Sequence, residues 1–287
     1  MIRLLLQPLA RLPLRWLHAC GAMLGWIVYF ASPVYAARLR ANLSQSGLAP
    51  GPDAYRALLH ASIAEAGKGF FELPALWLRD EASVARLVVQ CDHMEVYQAA
   101  QQRGKGIIFL TPHLGCFEVC AVYAAQYSPI TILYRPPKIK WLAPLLAGAR
   151  GRGGVRLATT DLWGVRKLYL AIKRAEAVGM LPDQAPGFGD GVWAPFFGRQ
   201  AYTMTLGLRL RESTGAAVIL AFAERLPAGR GYRIHMHELP AEARDAAALN
   251  RAIEQLIRAC PAQYLWSYNR YKTPAGAKPD PAAPAEP

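Results

Sequence analysis

Two hydrophobic periods alternate along this chain. Residues 86–91, 106–111, 130–134, 178–181, 217–222 and 232–237 are short apolar or β-branched runs bounded by glycine, proline or polar residues, which predicts strands. Between and after them, residues 93–103, 117–126, 140–149, 163–175, 204–211 and 244–259 carry apolar residues at helical spacing. A further helix is expected over 55–77, with Pro74 near its end. The run Gly-Ile-Ile-Phe-Leu-Thr at 106–111 is apolar at successive positions and predicts a strand buried on both faces. Alternating strands and helices predict an α/β fold: a single layered domain with a central, mostly parallel sheet flanked by helices. Ligands of such sheets sit beyond the carboxyl ends of the strands, so the residues that follow each strand are the ones to inspect.

The first 40 residues follow a different pattern. Positions 16–37 contain no Asp, Glu, Lys or Arg, a stretch about as long as the roughly 20 residues that cross a bilayer. Arg3, Arg11 and Arg15 precede it and Arg38 and Arg40 follow, so the positive-inside rule gives no orientation. A cleaved signal peptide ending at Val34-Tyr35-Ala36, a helix lying in the membrane interface, and a true span with Gly21 and Gly25 as a close-packing face all fit. The apolar run exceeds the roughly 7–15 residues of a signal peptide core, which favours an uncleaved anchor. The expected organisation is a hydrophobic membrane anchor over 1–40, a catalytic domain over 41–272, and a disordered Pro/Ala-rich tail over 273–287.

Hydrophobic residues make up 53% of the chain, and Lys and Arg outnumber Asp and Glu by 33 to 20, a net charge of +13. That balance suits an anionic partner: a nucleic acid, an acidic lipid surface or an acidic carrier protein. The apolar start argues against nucleic acid. Five cysteines without compact spacing do not form a disulfide framework and fit a reduced, cytosol-facing protein.

Candidate chemistry follows the run at 106–111, in Thr111-Pro112-His113-Leu114-Gly115-Cys116-Phe117-Glu118. A histidine at a strand end and a carboxylate five residues on can meet if a helix starts between them, giving an imidazole base oriented by an acid. The same residues fit plainer roles, with His113 capping the helix and Glu118 compensating its positive end. Cys116 could also be a nucleophile activated by His113, or His113, Cys116 and Cys120 could ligate zinc, although the chain has no Cys-x-x-Cys pair. No metal and no cofactor is expected.

Residues 111–118 resemble the His-x4-acid signature of the lysophospholipid acyltransferase superfamily. Further segments are similar to its lipid A branch, the lauroyl and myristoyl acyltransferases: Arg38–Leu43, Tyr134-Arg135-Pro136, Arg150-Gly151-Arg152, Gly164-Val165-Arg166, Leu181-Pro182-Asp183-Gln184, Ala194–Gly198 and Pro261–Trp266 through Lys272. The ordered set spans nearly the whole chain. This resemblance implies a glycerolphosphate-acyltransferase-like fold with an N-terminal membrane helix. It also implies an O-acyltransferase at the cytoplasmic face of the bacterial inner membrane, working among membrane lipids. His113 would be the general base and Glu118 its partner. The donor would be an acyl carrier protein thioester, and the acceptor a phosphorylated glycolipid of the lipid IVA type. Arg135, Arg150, Arg152 and Arg166 could clamp its phosphates or merely pair with nearby carboxylates, the resemblance favouring the first role for Arg135 and Arg150; Asp183 could orient the acceptor or simply form a turn, and Gln184 could donate a hydrogen bond. Cys116 and Phe117 depart from the branch, which commonly has Asn and Trp there, and this bears on substrate preference. An acyltransferase for another lipid, such as a lysophospholipid, and a non-catalytic basic membrane or nucleic-acid-binding protein are the alternatives.

Overall fold

The computed structural model describes residues 2–137 and 139–278, and the strands of the sheet explain most of its architecture. In chain order they are β1 (Val88–Asp92), β2 (Ile107–Leu110), β3 (Ile130–Tyr134), β4 (Val155–Thr159), β5 (Ala177–Met180), β6 (Gly191–Phe196), β7 (Arg199–Met204), β8 (Ala217–Arg225) and β9 (Tyr232–Glu238). Seven of them form one sheet in the order β1-β9-β8-β2-β5-β3-β4, and β6 and β7 form a separate hairpin. All neighbours in the large sheet run parallel except β8 and β9. The mostly parallel α/β sheet is as expected. β4 and the β6–β7 hairpin were not anticipated.

Side chains alternate across each strand, so the continuous apolar run of β2 feeds two cores. Ile108 and Leu110 join a cluster with Val178, Met180, Val218 and Leu220, while Ile107 and Phe109 join another with Ala177, Ile219 and Ala221. The first core is covered by α10 (Leu162–Lys173) and α12 (Ala246–Ala259), through Leu168, Ile172, Leu249 and Ile253. Both helices start on an aspartate cap: Asp161 accepts from the Gly164 amide and Asp245 from the Ala248 amide, each satisfying an otherwise orphaned donor. The second core is covered in part by α7 (Met94–Gln102) and α8 (Phe117–Ala124), through Tyr97 and Val119.

The β6–β7 hairpin turns at Phe197 (φ 46°) and Gly198 (φ 75°). Two consecutive left-handed residues make the turn that matches strand twist. Phe196 and Phe197 pack edge-to-face in the first core, so this apolar turn seals the interior. Trp266 is likewise in that core, at 3% exposure, and donates to the Pro261 carbonyl.

At the N-terminus lie α1 (Ile2–Arg11), α2 (Leu14–Ala31) and α3 (Pro33–Gln45), then α4 (Pro52–Phe71) and α5 (Leu73–Leu78). The helix expected over 55–77 is thus two helices, parted at Glu72 just ahead of Pro74. The uncharged stretch 16–37 does not form one helix either. Ser32 precedes Pro33, takes an extended conformation (φ −125°, ψ 93°) and bends α2 against α3 by 104°. Among the described residues, no single helix is long and apolar enough to cross a membrane. Gly21 and Gly25 do form a close-packing face, but toward α4 of the same chain. A Cβ on Gly67 would lie 1.9 Å from the Gly21 carbonyl oxygen, and one on Gly25 would lie 2.1 Å from that of Ile63. At the tail, the Lys278 carbonyl accepts from the Trp193 indole, and residues 279–287 lie outside the described residues.

The N-terminal helices are tied to the sheet by buried charge. Glu72, 1% exposed, accepts from Arg225 Nη2 (2.7 Å) and Nε (3.0 Å) and from the Tyr232 hydroxyl (2.9 Å), and pairs with His18 Nε2 of α2 (3.2 Å). Burial works to raise this carboxyl, but Arg225 and His18 outweigh it and hold it at about 2.

Gly67→Val is expected to destabilise the fold by about 1–3 kcal/mol through overpacking, read as a lower thermal midpoint. Gly148→Ala serves as the control: beyond its chain neighbours and its own helix backbone, no atom of the described residues lies within 4 Å of the added methyl group, and it should not lower the midpoint. A carboxyl depressed on folding stabilises fully above its unfolded value and loses that contribution as pH falls through the folded one. Stability should therefore decline between the ordinary Glu value of 4.5 and about 2 because of Glu72, and acid titration of Glu72→Gln should lack that component.

Candidate active site

β2 and β5 pair with Leu110 opposite Met180, and the Thr111 amide extends the ladder to the Met180 carbonyl at 3.0 Å. His113 and Asp183 each lie three residues beyond that pair, so the strand register delivers them to the same place. The Asp183 carboxylate accepts from the His113 backbone amide (2.9 Å) and lies 2.8 Å from Nδ1 of the ring. Asp183 is 2% exposed. Burial works to raise its carboxyl, but the His113 imidazole, the hydrogen bonds from His113 and the Arg270 guanidinium together hold it below the ordinary aspartate value. An ionised carboxylate at Nδ1 requires the proton on that nitrogen, which leaves Nε2 as an acceptor. Nε2 faces the Gln184 amide nitrogen at 3.1 Å. Phe117 packs against the ring with centroids 4.9 Å apart.

The turn that carries His113 is fixed by backbone pairing. The His113 carbonyl accepts from the Leu265 amide (3.0 Å), the Gly115 amide donates to the Gln263 carbonyl (3.1 Å), and the Cys116 amide donates to the Ala223 carbonyl (2.7 Å). Gly115 has φ +61°, and a Cβ there would sit 2.0 Å from the Ala223 oxygen, so only glycine fits.

Glu118 does not supply the ring's carboxylate. It stands in the first turn of α8 and accepts from Arg150, with Nε 3.0 Å from both carboxylate oxygens and a close contact from Nη2. Arg150 ends α9 (Ala143–Arg150) and lies over the Tyr134 ring at 5.7 Å. The expected His113–Glu118 pair is therefore replaced by two pairs, His113–Asp183 and Glu118–Arg150. Sequence spacing pointed to the nearer acid, whereas β2–β5 pairing brings in one that is distant in the chain.

His113 and the Glu118–Arg150 pair border a cavity of about 560 Å³, whereas Asp183 lies buried behind the ring and is not among its described lining residues. The inner wall of the cavity is apolar and lies between α8 and the sheet face carrying Phe109, with Ile130, Ile132, Gly179, Ala221 and Met236. Thr111, Gln184, Arg135 and Arg209 add polar groups to its lining. Arg209, exposed on α11 (Leu206–Thr214), was not anticipated, because nothing in its local sequence marks it. Arg152 is turned to the backbone, donating to the carbonyls of Leu76 and Arg79, and Arg166 is exposed and stacks on Trp163. Neither is among the described lining residues.

The two rival chemistries do not fit this geometry. Burial holds the Cys116 thiol well above its ordinary value and pushes Cys120 up to about 12, so neither is an activated nucleophile. Among the described residues, no three His, Cys, Asp or Glu side chains are grouped so as to hold a metal ion, so His113, Cys116 and Cys120 do not converge as ligands.

Comparison with known proteins gives the family. The family model described as bacterial lipid A biosynthesis acyltransferase matches residues 2–273. A lipid A biosynthesis lauroyltransferase of Escherichia coli (strain K12) is 30% identical over 235 residues, covering 76% of this chain and 72% of that protein. A lipid A biosynthesis palmitoleoyltransferase of the same organism is 28% identical over 216 residues, covering 72% and 69%. A lipid A biosynthesis acyltransferase of Haemophilus influenzae is 26% identical over 189 residues, covering 63% and 58%. The chain belongs to the family of bacterial lipid A biosynthesis acyltransferases.

Proposed function

We propose that this enzyme moves a fatty acyl chain from an acyl carrier protein thioester to a hydroxyl of a phosphorylated lipid A precursor. What carries this reading is the acceptor face of His113 Nε2, backed by an ionised Asp183 and set at a largely apolar cavity. Nε2 takes the proton of the acceptor hydroxyl as that oxygen attacks the thioester carbonyl. Asp183 holds the ring and stabilises the imidazolium that forms. The C–S bond then breaks, and the departing thiolate takes the proton from Nε2. The Gln184 amide, which faces Nε2 in the free enzyme, gives way to the acceptor hydroxyl and is then a donor beside the developing oxyanion. In this scheme Asp183 has the orienting role first expected of Glu118, and Glu118 holds Arg150 at the cavity wall. Arg150, with Arg135 and Arg209, offers guanidinium groups to the acceptor's phosphates.

We further propose that the enzyme rests on the cytoplasmic face of the inner membrane with the carboxyl end of its sheet against the lipid. Trp16, Met23, Ile27 and Phe30 form an exposed stripe on α2, opposite its buried contacts with α4. Trp141, Leu162, Trp163 and Phe188, in segments that follow β3, β4 and β5, are also exposed, and Leu162 lines the cavity. Ile27→Glu combined with Trp163→Ala should weaken co-sedimentation with anionic phospholipid vesicles. Unchanged binding would reject this orientation.

The activity is tested by incubating the purified enzyme with an acyl carrier thioester and a lipid IVA-type acceptor, with mass spectrometry of the product. A product heavier by one acyl chain is expected; its absence with correctly folded enzyme would count against the assignment. His113→Ala should abolish transfer, and Asp183→Asn should lower kcat by about 10³–10⁴-fold, as loss of an orienting carboxylate does in hydrolytic triads. Glu118→Gln should act mainly on the KM for the acceptor, by about tenfold, because it loosens a charge-assisted anchor.

A further inference from the structure

The carbonyl of Gly115 completes the pairing of the turn that holds His113, and its partner is a buried charge. Arg225, at the end of β8, donates from Nη2 to the Gly115 oxygen at 2.8 Å. Its own backbone exchanges two hydrogen bonds with the Gln263 side chain, at 2.8 and 3.0 Å, while the Gln263 carbonyl takes the Gly115 amide. The guanidinium cannot swing freely, because Glu72 grips it through Nε and Nη2 and Glu65 lies 3.6 Å from Nη1. Glu72 in turn is held by Tyr232 and by His18 of α2. The cluster is closely fitted: a Cβ on Gly69 of α4 would come within 2.8 Å of Nη2.

A salt bridge serving stability alone would be satisfied between its own side chains. Here one donor of the arginine is spent on the backbone two residues from the imidazole, and the pair is anchored to the helix that bears an exposed apolar stripe. We infer that Arg225, locked by Glu72 and His18, is a positioning residue that aims His113 and links its turn to the N-terminal helices. This rests on His113 being the base proposed above. Displacement of the Gly115 carbonyl shifts the ring relative to the acceptor hydroxyl, and misplacement by about 1 Å can cost 10²-fold in rate. Binding of either substrate does not involve Arg225, which lies outside the cavity lining among the described residues.

Arg225→Lys keeps the charge but removes the fork that reaches Glu72 and Gly115 together. In the transfer assay its kcat should fall about 10- to 100-fold while KM for donor and acceptor stays within about threefold. If the lysine variant does not fold, Gly69→Ala decides in its place: it removes no charge, favours the helix and presses a methyl group against Nη2. A folded variant with wild-type kcat, or one whose loss lies in KM, overturns the inference. So does failure of both variants to fold, which would mark the cluster as a folding element only. His113→Ala assayed alongside separates the two levels: if it stays active the proposed base is wrong, whereas an inactive His113→Ala beside a fully active Arg225→Lys rejects only the role of Arg225.

Discussion

The pairing of β2 with β5 governs what the rest of the molecule can do. Parallel strands in fixed register emit their connecting loops at the same height. His113 and Asp183, equally far past Leu110 and Met180, therefore meet although they are 70 positions apart in the chain. A slip of one residue would turn the side chains of either strand to the opposite face, sending Phe109 into the wrong core and parting the ring from the carboxylate. The two apolar clusters that divide the residues of β2 between them hold the site's geometry as firmly as any hydrogen bond within it.

Around this frame three carboxylates, buried or half-buried, each face a basic partner. Asp183 faces His113, Glu118 faces Arg150, and Glu72 faces Arg225. A buried ion costs several kcal/mol unless it is compensated, and such pairs seldom add net stability over apolar packing. Their persistence in this fold is better understood as orientation than as glue. Each pair fixes a side chain or a turn at the carboxyl end of the sheet.

The sheet was legible from the sequence because its central strands are unbroken apolar runs, and the segment 106–118 was legible because glycine and proline punctuate it. β4 was not, since Val155–Thr159 is a short edge strand in which only Val155 and Ala158 are buried. The β6–β7 hairpin was hidden because its turn uses Phe197 in a left-handed conformation in place of the usual Asn-Gly signal, and because Pro195 sits within β6. His113 was found by its place after a strand. The carboxylate that contacts its ring was not found, because spacing along the chain reveals only local partners, and register between distant strands is a property of the fold. Gly21 and Gly25 were read as the packing face of a membrane span, whereas the partner they meet is α4 of the same chain, whose Gly67 gave no comparable signal alone.

The cavity beside His113 shares its inner wall with the second hydrophobic core. A hydrocarbon chain entering it would complete the packing of Phe109, Ile130 and Met236, in effect serving as a borrowed core side chain. Empty volume in a protein interior is penalised by about 24 cal/mol for each Å³ left unfilled. A chain too short for the cavity would leave part of that penalty standing, and a chain too long would have to displace the sheet face or bend back toward the opening. Preference for one acyl length would then arise from the same packing energetics that hold the fold together.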